Sequence, residues 1–129
     1  MQYMMMIKAT KDYEAGLPPS RELVEGMGKL SAEMIRAGKL VASGGLEPSS
    51  KGCRLQYSGG KRTLIDGPFA ETRELVGGYA ILEAQSKEEA IQFADRVVEV
   101  HIQAGIEELE MEIRALYDPA GCSAANRSL

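Results

Sequence analysis

Two short, nearly continuous apolar runs constrain this chain more than any other feature. One is Tyr3-Met4-Met5-Met6-Ile7, within residues 2–9. The other lies at residues 75–82, Leu75-Val76-Gly77-Gly78-Tyr79-Ala80-Ile81-Leu82. Runs of this length with little polar alternation suit strands that meet apolar matter on both faces. Two helices cannot supply that contact on both sides of one sheet, so the runs also bear on assembly.

The segments between and after the runs read as follows. Residues 10–19 are a loop, and Pro18-Pro19 leads into a helix capped by Ser20, whose hydroxyl can accept from a free first-turn amide. Leu23, Met27, Leu30, Met34 and Ala37 recur at three- and four-residue spacing and form its apolar stripe. Gly26 and Gly28 weaken that helix and predict close packing or a kink, and Gly38 stops it. Residues 39–46 read as a strand in which Ser43-Gly44-Gly45 marks a bulge or a close backbone approach. After a turn at 47–52, residues 53–57 and 61–65 read as a hairpin joined by Ser58-Gly59-Gly60. Gly77-Gly78 in the second apolar run permits close approach of a ligand or of another chain. Ser86-Lys87-Glu88-Glu89 is a capping box. Ala90, Phe93, Ala94, Val97 and His101 share the face of the helix that follows, and Gly105 ends it. The alternation Glu108-Leu109-Glu110-Met111-Glu112-Ile113-Arg114 predicts a strand with one core face and one acidic, wet face. The segment 117–129 has little to bury and is expected to be a disordered tail after a domain at 1–116.

The order is strand, helix, strand, hairpin, strand, helix, strand. It predicts an α+β domain of ferredoxin-like, split β-α-β type with an inserted β-hairpin. Two helices cover one face of its four-stranded sheet. The other face carries side chains from 3–7 and 75–82 and calls for a cover. A two-fold homodimer with its sheets face to face, a dimeric α+β barrel, supplies one. With 129 residues and a net charge of −4, the chain shows no electrostatic footprint for nucleic acid or an anionic membrane. No apolar run is long enough to span a bilayer. Met1–Lys8 has neither the positive n-region nor the cleavage site of a signal peptide. With only Cys53 and Cys122, no structural disulfide is expected, and a cytoplasmic location is the default.

Three segments carry a family resemblance: Tyr3–Ile7, Gly44-Gly45-Leu46-Glu47-Pro48-Ser49, and Asp66-Gly67-Pro68-Phe69-Ala70-Glu71-Thr72-Arg73-Glu74 followed by Leu75–Tyr79. Together they resemble the YCII-related family, and within it the branch marked by the Asp-Gly-Pro-Phe core. The match runs in order from residue 1 to about residue 115. The resemblance implies a ferredoxin-like dimeric α+β barrel. It also implies company with extracytoplasmic-function sigma factors for some relatives, and dehydrochlorination of a chlorinated hydroxyquinol by one distant relative. A His–Asp pair is proposed as the active site of other members. Its aspartate maps onto Asp66, but its histidine has no counterpart here, since the single histidine, His101, falls near the end of the second helix.

Asp66 is accordingly the candidate acid–base. Partial shielding by Phe69 would favour proton exchange near neutral pH. The plainer alternative is that Asp66 bonds its own downstream backbone and holds the turn. Glu71 could join it in a carboxylate pair, or stay in a solvated loop. Arg62 and Arg73 could hold an anionic ligand, or simply offset the surplus acids. Phe69 and Tyr79 could line an apolar pocket, and Ser43 with its two glycines could present amides to an oxyanion. His101 reads as a core histidine. No phosphate loop, nucleophile elbow or nucleotide fingerprint occurs, and no metal-ligand set has recognised spacing. The function expected is cofactor-free proton transfer on a small molecule, of isomerase or lyase type. The alternative is a non-catalytic ligand-sensing or partner-binding accessory of a sigma factor.

Overall fold

The computed structural model describes residues 1–71 and 74–119. The strands are β1 (Gln2–Lys8), β2 (Leu40–Gly45), β3 (Cys53–Ser58), β4 (Lys61–Asp66), β5 (Val76–Glu83) and β6 (Met111–Ala115). The helices are α1 (Lys11–Glu14), α2 (Arg21–Arg36) and α3 (Lys87–Gln103), and a 3-10 turn spans Ser49–Lys51. Four strands form one antiparallel sheet in the order β2-β5-β1-β6, while β3 and β4 form a separate two-stranded sheet. The halves of the chain interleave: β1 runs through α2 to β2 on the far side of β5, and β5 runs through α3 to β6 on the far side of β1. The class is α+β, as expected.

Register decides where the core lies. Tyr3 and Met5 stand opposite Leu82 and Ala80 on one side, and opposite Ala115 and Ile113 on the other. Strand residues alternate faces, so these side chains share one face. Leu30 and Met34 of α2 and Phe93, Ala94 and Val97 of α3 close over it in a single buried cluster. Val97 is wholly inaccessible, and burying such a side chain stabilises by about 1.5–3 kcal/mol. The opposite face carries Met4, Met6, Tyr79 and Ile81, all only half-buried. Within one chain the burial of the first run therefore alternates instead of being two-sided.

The two serine caps form as the sequence predicts, while the return bond of the capping box from the Ser86 amide to Glu89 is not made among the described residues. Ser20 accepts from the Leu23 amide at 3.2 Å, and Ser86 accepts from the Glu89 amide at 3.2 Å. The side chain of Glu89 pairs with Lys39 at 3.5 Å. His101 is buried, and its Nδ1 donates to the Val97 carbonyl at 2.7 Å, the core histidine the apolar stripe implies. Three expectations shift. The segment 10–19 contains α1, capped by Thr10, whose hydroxyl accepts from Tyr13 at 3.1 Å. The irregularity of β2 falls between Leu40 and Ala42, ahead of Ser43-Gly44-Gly45. The β6 ladder begins at Met111, so Glu108-Leu109-Glu110 precedes the strand. Cys122 and the disorder expected of the tail from residue 120 lie outside the described residues, while Cys53 is free and exposed.

The two α2 glycines differ in a way that can be measured. A Cβ on Gly26 would stand 2.7 Å from Cγ1 of Val100 on α3, whereas one on Gly28 would meet nothing within 4 Å. Valine in a helix has one favoured rotamer, so Val100 cannot turn aside cheaply. Gly28→Ala should raise stability by roughly 0.5–1 kcal/mol through helix propensity. Gly26→Ala should lose that gain to overpacking and fall about 1 kcal/mol or more below the parent. Thermal unfolding of both variants checks this, and equal melting temperatures would refute the close α2–α3 contact.

Candidate functional site

The Asp66-Gly67-Pro68-Phe69 turn is built on the 3-10 turn at Ser49–Lys51. The Gly67 amide donates to the Gly52 carbonyl at 3.0 Å. The Phe69 amide donates to the Ser49 hydroxyl at 3.0 Å. The same hydroxyl donates to Glu14 Oε2 at 2.5 Å, and the Ser49 amide donates to Glu14 Oε1 at 2.8 Å. One half-buried carboxylate on α1 thus holds Ser49, and Ser49 holds the turn. Gly67 must be glycine, because a Cβ there would run into the carbonyl of Ser49. The Gly67–Pro68 peptide bond is cis. The Arg54 guanidinium lies over the Phe69 ring, 3.8 Å from its centroid, a distance at which the ring face attracts a cation.

Asp66 does not hold this turn. Its carboxylate makes no hydrogen bond or ion pair among the described residues, and it is exposed at the end of β4. Cys53 stands opposite Asp66, and Arg54 opposite Ile65. Alternation then puts Arg54 on one face of the hairpin and Asp66 on the other. Phe69, lying under Arg54, is on the side away from Asp66 and does not shield it.

The remaining candidates are spread over the fold. Arg62 pairs across the hairpin with Tyr57 and shares the Asp66 face. Glu71 is exposed in the loop after Phe69. Ser43 stands opposite Ala80, and Gly44 opposite Tyr79, so Ser43 and Tyr79 belong to opposite faces of the main sheet. The Tyr79 ring covers Gly44, with its atoms 3.2–3.3 Å from where a Cβ would be. The close approach at Gly77 and Gly78 is made by the chain's own backbone, Ala9 Cα at 3.2 Å and the Gly44 carbonyl at 3.3 Å. Arg73 lies outside the described residues. No cluster of three His, Cys, Asp or Glu suited to a metal ion occurs among the described residues.

A cleft of about 400 Å³ lies between Tyr13, Leu17, Pro18, Pro19 and Gly45–Pro48. The Tyr13 hydroxyl donates to the Leu46 carbonyl. Its pKa is held above the ordinary 10.0, first by burial and then by the Glu47 charge. None of Ser43, Arg62, Asp66, Phe69, Glu71 or Tyr79 lines this cleft. Sequence reasoning missed Tyr13, Glu14 and Ser49 because it took 10–19 and 47–52 as plain connections. The available signal was Thr10, three residues ahead of Tyr13, as a helix cap.

Ser49→Ala removes the group that satisfies both Glu14 and the Phe69 amide. It should cost about 1–3 kcal/mol and lower the melting temperature by several degrees in a domain this size. An unchanged melting temperature would show that the turn is held by other contacts.

Comparison with known proteins agrees with this architecture. The model of the YCII-related domain matches residues 1–112. An uncharacterised protein of Rhizobium meliloti (strain 1021) is 30% identical over 97 residues, which cover 75% of this chain and 77% of that protein. No helix among the described residues is long and apolar enough to cross a membrane. With the match extending from β1 into β6 and taking in all three helices and the turn at Asp66, the chain belongs to the YCII-related family.

Proposed function

We propose that this is a YCII-related protein of the Asp-Gly-Pro-Phe branch, working as a small-molecule enzyme without a cofactor. Its chemistry would be proton transfer, an isomerisation or an elimination, with Asp66 as acid–base. The observation that supports this most is that the Asp66 carboxylate makes no hydrogen bond or ion pair among the described residues, while Ser49, Gly52 and Arg54 hold the turn. Arg62, on the same hairpin face, is the group suited to an anionic substrate. Tyr79, Phe69, Ser43 and Glu71 are the further ligand candidates, although Ser43 and Tyr79 lie on opposite faces of the main sheet. The strand order β2-β5-β1-β6 supports a ferredoxin-like fold. The half-exposed Met4, Met6, Tyr79 and Ile81 support its assembly as a cytoplasmic homodimer, a dimeric α+β barrel.

A second reading is a non-catalytic ligand-sensing or partner-binding accessory, for instance of a sigma factor. It is favoured by the separation of the candidate residues, which line neither the cleft at Tyr13 nor that at Phe93 and Arg96.

Two measurements on Asp66→Ala decide between these readings and a purely structural aspartate. The melting temperature should equal the parent's, whereas a lost turn hydrogen bond of about 1 kcal/mol would lower it by a few degrees. A panel of small lactones and phenols, assayed with parent and variant, should give turnover with the parent alone. Full turnover by Asp66→Ala ends the catalytic reading, and capture of a neighbouring regulator without turnover supports the second.

A further inference from the structure

The β3–β4 hairpin is an arm whose strand residues are all exposed. A lone two-stranded hairpin is at best marginally stable in water, so such an arm calls for a surface to lie on. Strand alternation sorts its side chains into two unlike faces. Arg54, Gln56, Ser58, Lys61, Thr63 and Ile65 make one face, which meets the chain's own Phe69 and is polar but for Ile65. The other face carries three cross-strand pairs: Cys53 with Asp66 at the foot, Leu55 with Leu64 in the middle, and Tyr57 with Arg62 at the tip. Leu55, Tyr57 and Leu64 are 68%, 72% and 63% exposed. Three large apolar side chains side by side in water are a docking surface rather than scatter.

The order of those pairs says what fits the face. It holds one carboxylate, Asp66, and one guanidinium, Arg62, and neither is in an ion pair among the described residues. Four residues along one strand set them about 13 Å apart, with Leu64 between. Turned end for end about a two-fold axis across the strands, this face matches itself. β4 then lies on β4 in reverse. Asp66 of each chain meets Arg62 of the other, Leu64 meets Leu64, Leu55 meets Leu55, and Tyr57 covers Cys53. Every charge on the face is answered by its opposite and the apolar middle by its own copy, as an isologous contact requires. A two-fold axis along the strands would instead set Asp66 over Cys53 and Arg62 over Tyr57, leaving both charges unanswered. Arg54 and Lys61 point away from the contact. The open face of the four-stranded sheet takes no part in it, so it is compatible with the sheet-to-sheet pairing proposed above.

We propose that the β3–β4 hairpin is a self-recognising arm, which stacks foot to tip on the arm of a second copy through Leu55, Tyr57 and Leu64 and sets Asp66 of one chain beside Arg62 of the other. Each end of the stacked pair then holds a carboxylate and a guanidinium together, the acid–base and the anion-binding group that a single chain keeps apart. That shared site rests on the reading of Asp66 given above, whereas the docking of the arms does not. The face offers six side chains, far fewer than the roughly 20–30 residues of a standard interface, so the assembly depends on concentration.

The test is charge reversal read by sedimentation of the full chain from micromolar to millimolar concentration. Because it reads mass and not turnover, its failure and that of the enzyme reading are distinguishable. Asp66→Arg puts two cations on the face and Arg62→Asp puts two carboxylates there, so neither variant should pair with itself. The parent should reach at least twice the mass of either variant, starting from the 14.0 kDa of one chain. An equimolar mixture of the two variants should regain the parent's mass, because each end then brings an acid to a base. Both residues are exposed, so the circular dichroism of each variant should match the parent's. Alkylation of Cys53, read by mass spectrometry, should slow several-fold in the parent as concentration rises and stay constant in Arg62→Asp. A parent no heavier than the single variants overturns the proposal and leaves the arm to a different partner. A mixture that stays at the variants' mass also overturns it, because Asp66 and Arg62 would then not face each other across the contact. So does Cys53 alkylation that ignores concentration while the parent assembles, since the contact would then lie off the arm.

Discussion

The central pairing of β1 with β5 is the interaction the rest of the molecule depends on. Both strands have neighbours on each side, so neither can slip without breaking two ladders. A one-residue shift would exchange Tyr3 and Met5 for Met4 and Met6 beneath the helices. The small residues of β5 matter to the same pairing. Gly77 and Gly78 let Ala9 and the Gly44 carbonyl close in, and Ala80 leaves room beside Met5 in the buried layer. With that register in place, α2 and α3 have one apolar surface to cover, and the loops at the end of β2 are brought beside the turn that follows β4.

Much of this was legible in the sequence, for reasons that can be named. The stripe Leu23, Met27, Leu30, Met34 and Ala37 and the stripe Ala90, Phe93, Ala94, Val97 and His101 are helical by period; the second is buried throughout, while in the first Leu30 and Met34 are buried, Leu23 and Met27 half-buried, and Ala37 is an exposed C-cap. Ser20, Ser86, Gly38 and Gly105 are local signals, and each acts locally. Gly59 and Gly60 take positive φ, 58° and 77°, in a two-residue hairpin turn, as the glycine pair implies. What was not legible depends on contacts distant in sequence. Glu14 and Ser49 are 35 residues apart, and nothing local in either announces that one holds the other.

The candidate site was less legible than the fold, and Asp66 shows why. The motif marks the turn, but not which residue supports it. A carboxylate ahead of Gly-Pro suggests a self-bonded turn, yet the amides in question are taken by Ser49 and Gly52. Phe69 next to Asp66 in the chain suggests an apolar wall beside a carboxylate. Strand alternation sends them to opposite sides, and the ring is paired with Arg54 instead. Ser43 and Tyr79 are separated by the same alternation. A linear motif lists neighbours along the backbone, while a site is made of neighbours across it.

The hydrogen bond from the Gly67 amide to the Gly52 carbonyl, at 3.0 Å, closes the base of the hairpin. Both feet of the insertion are therefore fixed next to each other whatever lies between them. The closure entropy of the inserted loop is met at that clasp and grows only slowly with loop length. Residues 53–66 are in this sense a cassette. Relatives can lengthen, shorten or resurface it with little effect on the four-stranded sheet, and a shorter tight turn could replace it while the body still folds. The part of the molecule most free to diverge is thus the part that carries Asp66 at its foot, so divergence in what the arm meets need not disturb the body that supports it.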